Sequence, residues 1–151
     1  MGTSEIEWED GMVISQNQIS DFENILGINL PNDFKEVVKN QDGASPNHPA
    51  LDFCGMKEKV FSGLIPLLEP NYYSASIVET INSYEIPFPE GIIPFGQDPF
   101  GNLYCFDYRG KVEPTIVYWD HEAEMSYEFQ FCLVADTFSA FLNKLYIPDD
   151  E

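Results

Sequence analysis

Between Ile92 and Val134 dense runs of β-branched and aromatic residues alternate with short turn strings, and that alternation leaves few folds open. Ile92-Ile93-Pro94-Phe95 leads into Gly96-Gln97-Asp98-Pro99-Phe100-Gly101-Asn102, a turn-forming string, and then into Leu103-Tyr104-Cys105-Phe106-Asp107-Tyr108. After Arg109-Gly110-Lys111 comes Thr115-Ile116-Val117-Tyr118-Trp119, and after Asp120-His121-Glu122 a further strand is expected within Tyr127 to Val134. Successive strands joined by short connections form, most simply, an antiparallel meander. Tyr104, Phe106 and Tyr108 alternate with Leu103, Cys105 and Asp107, which gives one strand a face made of rings. Stacking on nucleic-acid bases would need cationic neighbours, and only Arg109 and Lys111 are near, so core packing is the better reading.

Helical periodicity flanks this region. Ser15 is expected to cap a first helix with Gln18 reaching back to it, Ile14 and Ile19 forming a hydrophobic staple, Ile19, Phe22 and Leu26 on one face, and Gly27 at the end. A second helix is expected to begin at Pro31 and to bury Phe34, Val37 and Val38. Leu30 is a poor cap, so another group must satisfy its first amides. The stretch 40–49, with Asp42-Gly43 and Ser45-Pro46, reads as loop, and Ala50 to Leu68 as short strands. A helix within Tyr73 to Tyr84 and a closing one from Thr137, capped by Asp136 and striped with Phe138, Phe141, Leu142 and Leu145, complete the pattern. The expectation is an α+β single domain over 14–147, with helices on a mainly antiparallel sheet, an acidic extension over 1–13 that is a solvated tail, and an acidic tail over 148–151. A chain of 151 residues can bury roughly 70% of its extended surface without staples.

Charge then narrows the function. Against 26 Asp and Glu stand 7 Lys and Arg, a net charge of −19. Such a surface repels phosphate, so nucleic acid and anionic membrane are excluded as partners, and a basic protein is the natural counterpart. Solubility alone would also favour acidity, but self-repulsion at this charge does not favour stability. The first residues lack a cationic and apolar leader and no apolar stretch approaches ~20 residues, so a cytoplasmic protein is expected. Cys54, Cys105 and Cys132 are odd in number and far apart, and they read as buried free thiols with neither disulfide nor zinc.

No catalytic pattern emerges. There is no Gly-x-Ser-x-Gly elbow, and the turn at Gly96 to Asn102 lacks the Gly-x-Gly-x-x-Gly of a phosphate cradle. The histidines are His48 and His121 alone, so no metal and no cofactor is expected. Asp120-His121-Glu122 could serve as a general acid/base or a ligand set, but a polar connection leaving a strand is the preferred reading.

Several strings, in order, resemble the SUKH superfamily, the Smi/Knr-type domain. Leu30-Pro31-Asn32-Asp33-Phe34-Lys35 before Asp42-Gly43 is similar to the family's Leu-Pro-x-Asp/Glu-aromatic opening and later glycine. Ile93-Pro94-Phe95-Gly96-x-Asp98 with Gly101-Asn102-x-Tyr104-x-x-Asp107 is similar to its central hairpin, and Val117-Tyr118-Trp119-x-His121-Glu122 to the next strand. Thr137-Phe138-Ser139-x-Phe141-Leu142 resembles its closing helix. The resemblance implies helices on a twisted sheet, no established catalytic centre, and a role as a bacterial immunity protein that binds and neutralises a polymorphic toxin, often a nuclease. The alternative it implies is a scaffold or regulatory module linked to cell-wall synthesis; a small hydrolase built on His121 is a weaker third reading. Because the family-like strings and hairpin ends converge there, Asp98, Asn102, Asp107, Trp119, Asp120, His121 and Glu122 are the expected partner contacts. The other location for them is Ala44 to Pro89, which matches none of the family strings.

Overall fold

The expected meander is the centre of the molecule. A computed structural model describes residues 6–71, 74–84, 88–120 and 131–148. In chain order these form β1 (Trp8–Glu9), α1 (Gln16–Leu26), α2 (Asn32–Gln41), β2 (Ser45–Pro46), β3 (Ala50–Phe53), β4 (Met56–Val60), β5 (Gly63–Leu64) and α3 (Ile77–Ile81). Next come β6 (Ile92–Gln97), β7 (Leu103–Asp107), β8 (Thr115–Trp119), β9 (Cys132–Ala135) and α4 (Phe138–Lys144). Strands β5 to β9 make one antiparallel sheet in sequence order, while β1 pairs β2 and β3 pairs β4 in two small ribbons. The fold is α+β.

One face of the sheet is covered by α2, α4 and the β3–β4 ribbon through a nest of rings. Phe34 meets Phe106 and Phe138 edge-on at 5.0 and 5.1 Å, Phe95 stacks on Phe106 at 4.5 Å, and Phe61 meets Phe141 at 5.1 Å. Tyr104 and Phe106 are buried here, as the alternation of rings along their strand requires. Phe61 comes so close to β6 that a Cβ on Gly96 would lie 2.2 Å from its ring, beside a bulge that leaves Phe95 unpaired between Pro94 and Gly96. On the opposite face Tyr84 and Phe88 close over Trp119, with ring centres 5.2 and 6.1 Å away. Both faces are therefore covered, and Leu103, Cys105 and Asp107 are as buried as the rings that alternate with them.

The capping box of α1 forms as its sequence dictates: the Gln18 amide donates to Ser15 Oγ, and the Ser15 amide to Gln18 Oε1. Gly27 closes that helix in the left-handed region at φ 70°. Pro31 is the cap of α2 and not its first helical residue. The amides left over there find carboxylates: Asp33 accepts from its neighbour Phe34, and Glu23 accepts from the Leu30 amide while pairing with Lys35. Asp33 also accepts from Ser139, through both its amide and its hydroxyl, and so ties α2 to α4.

Further expectations need correction, and the stretch 40–49 read as loop contains β2. The cap of α4 is Thr137, whose hydroxyl accepts from the Ala140 amide, and not Asp136, because Thr137 is the last extended residue before the helix. The third helix is confined to Ile77–Ile81, since its box of Ser76 and Glu79 fixes the start one residue before; Tyr73 lies outside the described residues. Cys54 and Cys132 form a disulfide across 78 residues because the β3–β4 turn lands on β9, and only Cys105 is a buried free thiol. The acidic N-terminal strip is tied down in part: Ile6 joins the core and Trp8–Glu9 pairs with Ser45–Pro46. Among the described residues no helix is long and apolar enough to cross a membrane.

Candidate functional site

The register divides the expected contact residues into two groups. Leu103 faces Trp119 at one end of β7, which puts Asp98, Asn102, Trp119 and Asp120 together, whereas Asp107 sits at the opposite end across from Thr115. His121 and Glu122 lie outside the described residues.

At the first end the turn from β6 to β7 is organised by Asp98. One oxygen of its buried carboxylate accepts from the amides of Phe100 and Asn102 at 2.8 and 2.9 Å, and the other from Asn102 Nδ2 and Tyr118 Oη at 2.8 and 3.0 Å. Burial, and then Asp98 itself, push the Tyr118 phenol well above its usual range. Asp98 and Asn102 are thus occupied in shaping the turn, and Trp119 is covered by Tyr84 and Phe88. What this end offers to a partner is Asp120, exposed after the strand, and Phe100, 71% exposed at the turn.

At the other end Asp107 holds Arg109 in a fork, with Nε–Oδ1 at 2.9 Å and Nη2–Oδ2 at 3.1 Å, while Lys111 approaches to 3.5 Å. Burial works against the charge on Asp107, but the hydrogen bonds and charges of these two side chains outweigh it and hold the carboxyl below its usual range. Among the described residues no three His, Cys, Asp or Glu side chains converge as metal ligands.

A third carboxylate, read from sequence only as part of a turn, is held differently. Asp42 follows α2, and its amide and carbonyl exchange hydrogen bonds of 3.0 Å with Met12. Its side chain is 5% exposed, and one oxygen accepts from the Leu67 amide at 3.0 Å. The other oxygen accepts nothing from the described residues, and Asp42 lines a pocket of about 120 Å³. That pocket is walled by Met12, Val13, Leu67, Leu68, Glu69 and Asn71 among others, and no Lys, Arg or His lines it among the described residues. Burial pushes the Asp42 carboxyl up to about 6, with the Leu67 amide opposing the shift. Gly43 sits at φ 76°, in the left-handed region that favours glycine, and a Cβ there would lie 2.6 Å from Asn71 Nδ2. Met12 and Val13, 58% and 76% exposed, form an apolar rim.

The described face combines one buried acid with no Lys, Arg or His among its described neighbours, an apolar rim, and exposed acids beyond. Comparison with known proteins places it in a lineage. The chain is similar to an SPbeta prophage-derived uncharacterized protein, YokK, of Bacillus subtilis (strain 168), at 29% identity over 147 residues, covering 87% of this chain and 74% of that protein. The model of the SMI1 / KNR4 family (SUKH-1) matches residues 13–144, an interval that takes in α1, the whole meander and α4, and the chain belongs to that family.

Proposed function

We propose that this chain is a bacterial immunity protein that binds a cognate toxin, a basic nuclease domain, and blocks it by covering its active face without chemistry of its own. The observation that carries the reading is the charge of −19 on a member of this family. Among the described residues Lys35, Lys39, Arg109 and Lys111 are matched to neighbouring acids, and seven cations in all leave most of the 26 acidic charges uncompensated. A cationic cleft built to hold a polyanion is the complement of such a surface, and steering between them raises association toward ~10⁸–10⁹ M⁻¹s⁻¹ at low salt. A prophage-derived relative fits the bacterial setting. Of the contacts expected from sequence, Asp120 with His121 and Glu122 reach the partner, Phe100 adds an aromatic anchor, and Asp98, Asn102 and Trp119 hold that end in shape. Asp107, at the far end of its strand, contributes through its Arg109 and Lys111 cluster.

The test is co-expression with the variable carboxy-terminal domain of the neighbouring gene product. Growth is rescued by the chain, and the purified proteins associate at moderate salt with a rate that falls as salt rises. Failure of rescue together with failure to associate refutes the reading; several partners of modest affinity would instead favour a scaffold module.

A further inference from the structure

Among the described residues three aspartates are buried, and each is treated differently. Asp98 receives four hydrogen bonds, and Asp107 receives a guanidinium and an ammonium. Asp42 receives a single amide from the described residues, and it lines an apolar-rimmed hole whose described wall holds no Lys, Arg or His. We propose that this pocket takes the cationic end of one lysine or arginine side chain from the protein partner, with Met12 and Val13 packing on the aliphatic stem of that side chain.

Size, shape and charge agree on this occupant. A volume of about 120 Å³ accommodates a side-chain end, whereas ligand pockets start near ~300 Å³. A lysine or arginine presents an apolar stem below a charged head, the same order as an exposed Met12–Val13 rim above a buried carboxylate. A counter-charge is what a desolvated acid requires, and among the described residues no Lys, Arg or His lines the pocket. Glu69, on the pocket wall, adds a second negative charge for the incoming cation. The Gly43 carbonyl beneath the seat accepts from Asn71 at 3.4 Å, which couples the acid to the opposite wall. The proposal rests on the reading that the partner is a basic protein, and it names where that partner inserts a charge.

The test uses the full chain in two arms. In the first, amide NMR follows titration with N-butylguanidinium and with its neutral counterpart N-butylurea. Saturable shifts at Leu67, Met12 and Val13 are expected with the cation, absent with the urea and absent in Asp42→Asn. No saturable response, an equal response to the urea, or an unchanged response in Asp42→Asn overturns the assignment. In the second arm Asp42→Asn is co-expressed with the toxin domain, and its affinity is expected to fall roughly 30-fold or more, as when one member of a buried charge pair is removed. If wild type and Asp42→Asn protect and bind equally, the pocket assignment fails and immunity stands. If neither protects while N-butylguanidinium still docks at Leu67, immunity fails and the cation pocket stands.

Discussion

Replacing Asp42 with Asn should make the protein more stable at neutral pH. The substitution keeps an acceptor for the Leu67 amide and removes only the charge. Burial raises the native carboxyl from 3.8 to about 6, so between those values the folded state holds a proton that the unfolded chain gives up. The stability that this neutral carboxyl confers is complete below pH ~4 and is lost as pH rises through about 6. At pH 7.5 the charge then costs about two pKa steps of ~1.4 kcal/mol each, or roughly 3 kcal/mol. At ~2–4 °C per kcal/mol for a domain of this size, the variant should melt roughly 6–12 °C above wild type at pH 7.5. Because every other carboxylate is common to both proteins, the difference between their pH–stability curves isolates Asp42. The assay is urea or thermal unfolding of both proteins from pH 4 to 8, with the gap closing near pH 4. A gap constant in pH, or a variant less stable than wild type at pH 7.5, would refute the reasoning.

Reduction of the Cys54–Cys132 bridge opens a loop of 78 residues, and the loop-entropy model puts the loss at up to about 4.5 kcal/mol; thermal melts with and without reductant measure it, and coincident melts would deny the bridge. A thiol titration of the unfolded, unreduced chain should count Cys105 alone. Tyr118→Phe removes one hydrogen bond to the Asp98 carboxylate and should cost roughly 1.5–3 kcal/mol in urea unfolding, whereas Asp98→Ala strands several donors at once and should cost more; equal losses would contradict the network. Gly96→Ala drives a methyl into Phe61 and should lose about 1–3 kcal/mol, part of it recovered by Phe61→Leu in the same chain; a neutral Gly96→Ala would mean that the ring can move aside.

What could be read from the sequence was what local chemistry decides. The Ser15 and Gln18 box lies within four consecutive residues, and the strands of the meander follow one another with each partner next in the chain, so period and turn residues are enough to place them. The choice between Asp136 and Thr137 as cap was not legible, because both residue types cap well and only the backbone path decides. Clustering of Asp98, Asn102, Trp119 and Asp120 followed from the hairpin, but Asp98's bond to Tyr118 from the next strand, which gives it a supporting role, did not. Asp42 depends on the Leu67 amide, 25 residues on, and on a wall supplied by Met12 and Val13 from before α1. No pattern near Asp42-Gly43 announces those neighbours, and none near Cys54 announces Cys132.

The exposed acids and the buried one act over different ranges. Charges at the surface create a field that draws a cationic protein in, but at physiological salt it decays over ~8 Å and has little power to distinguish one orientation from another. A carboxylate in a walled seat is screened far less and rewards a single placement of a single side chain, so it sets register and dissociation more than encounter. Its energetic signature is also different: surface acids repel one another weakly and diffusely, whereas Asp42 concentrates a penalty that a change of one atom, oxygen to nitrogen, would relieve. The ring-packed sheet under α2 and α4 supplies the surplus stability that makes this penalty tolerable. Folding alone gives no reason to keep an acid where an amide would serve better. The departure from local consistency at Asp42 therefore marks where the demand on the chain comes from something it binds.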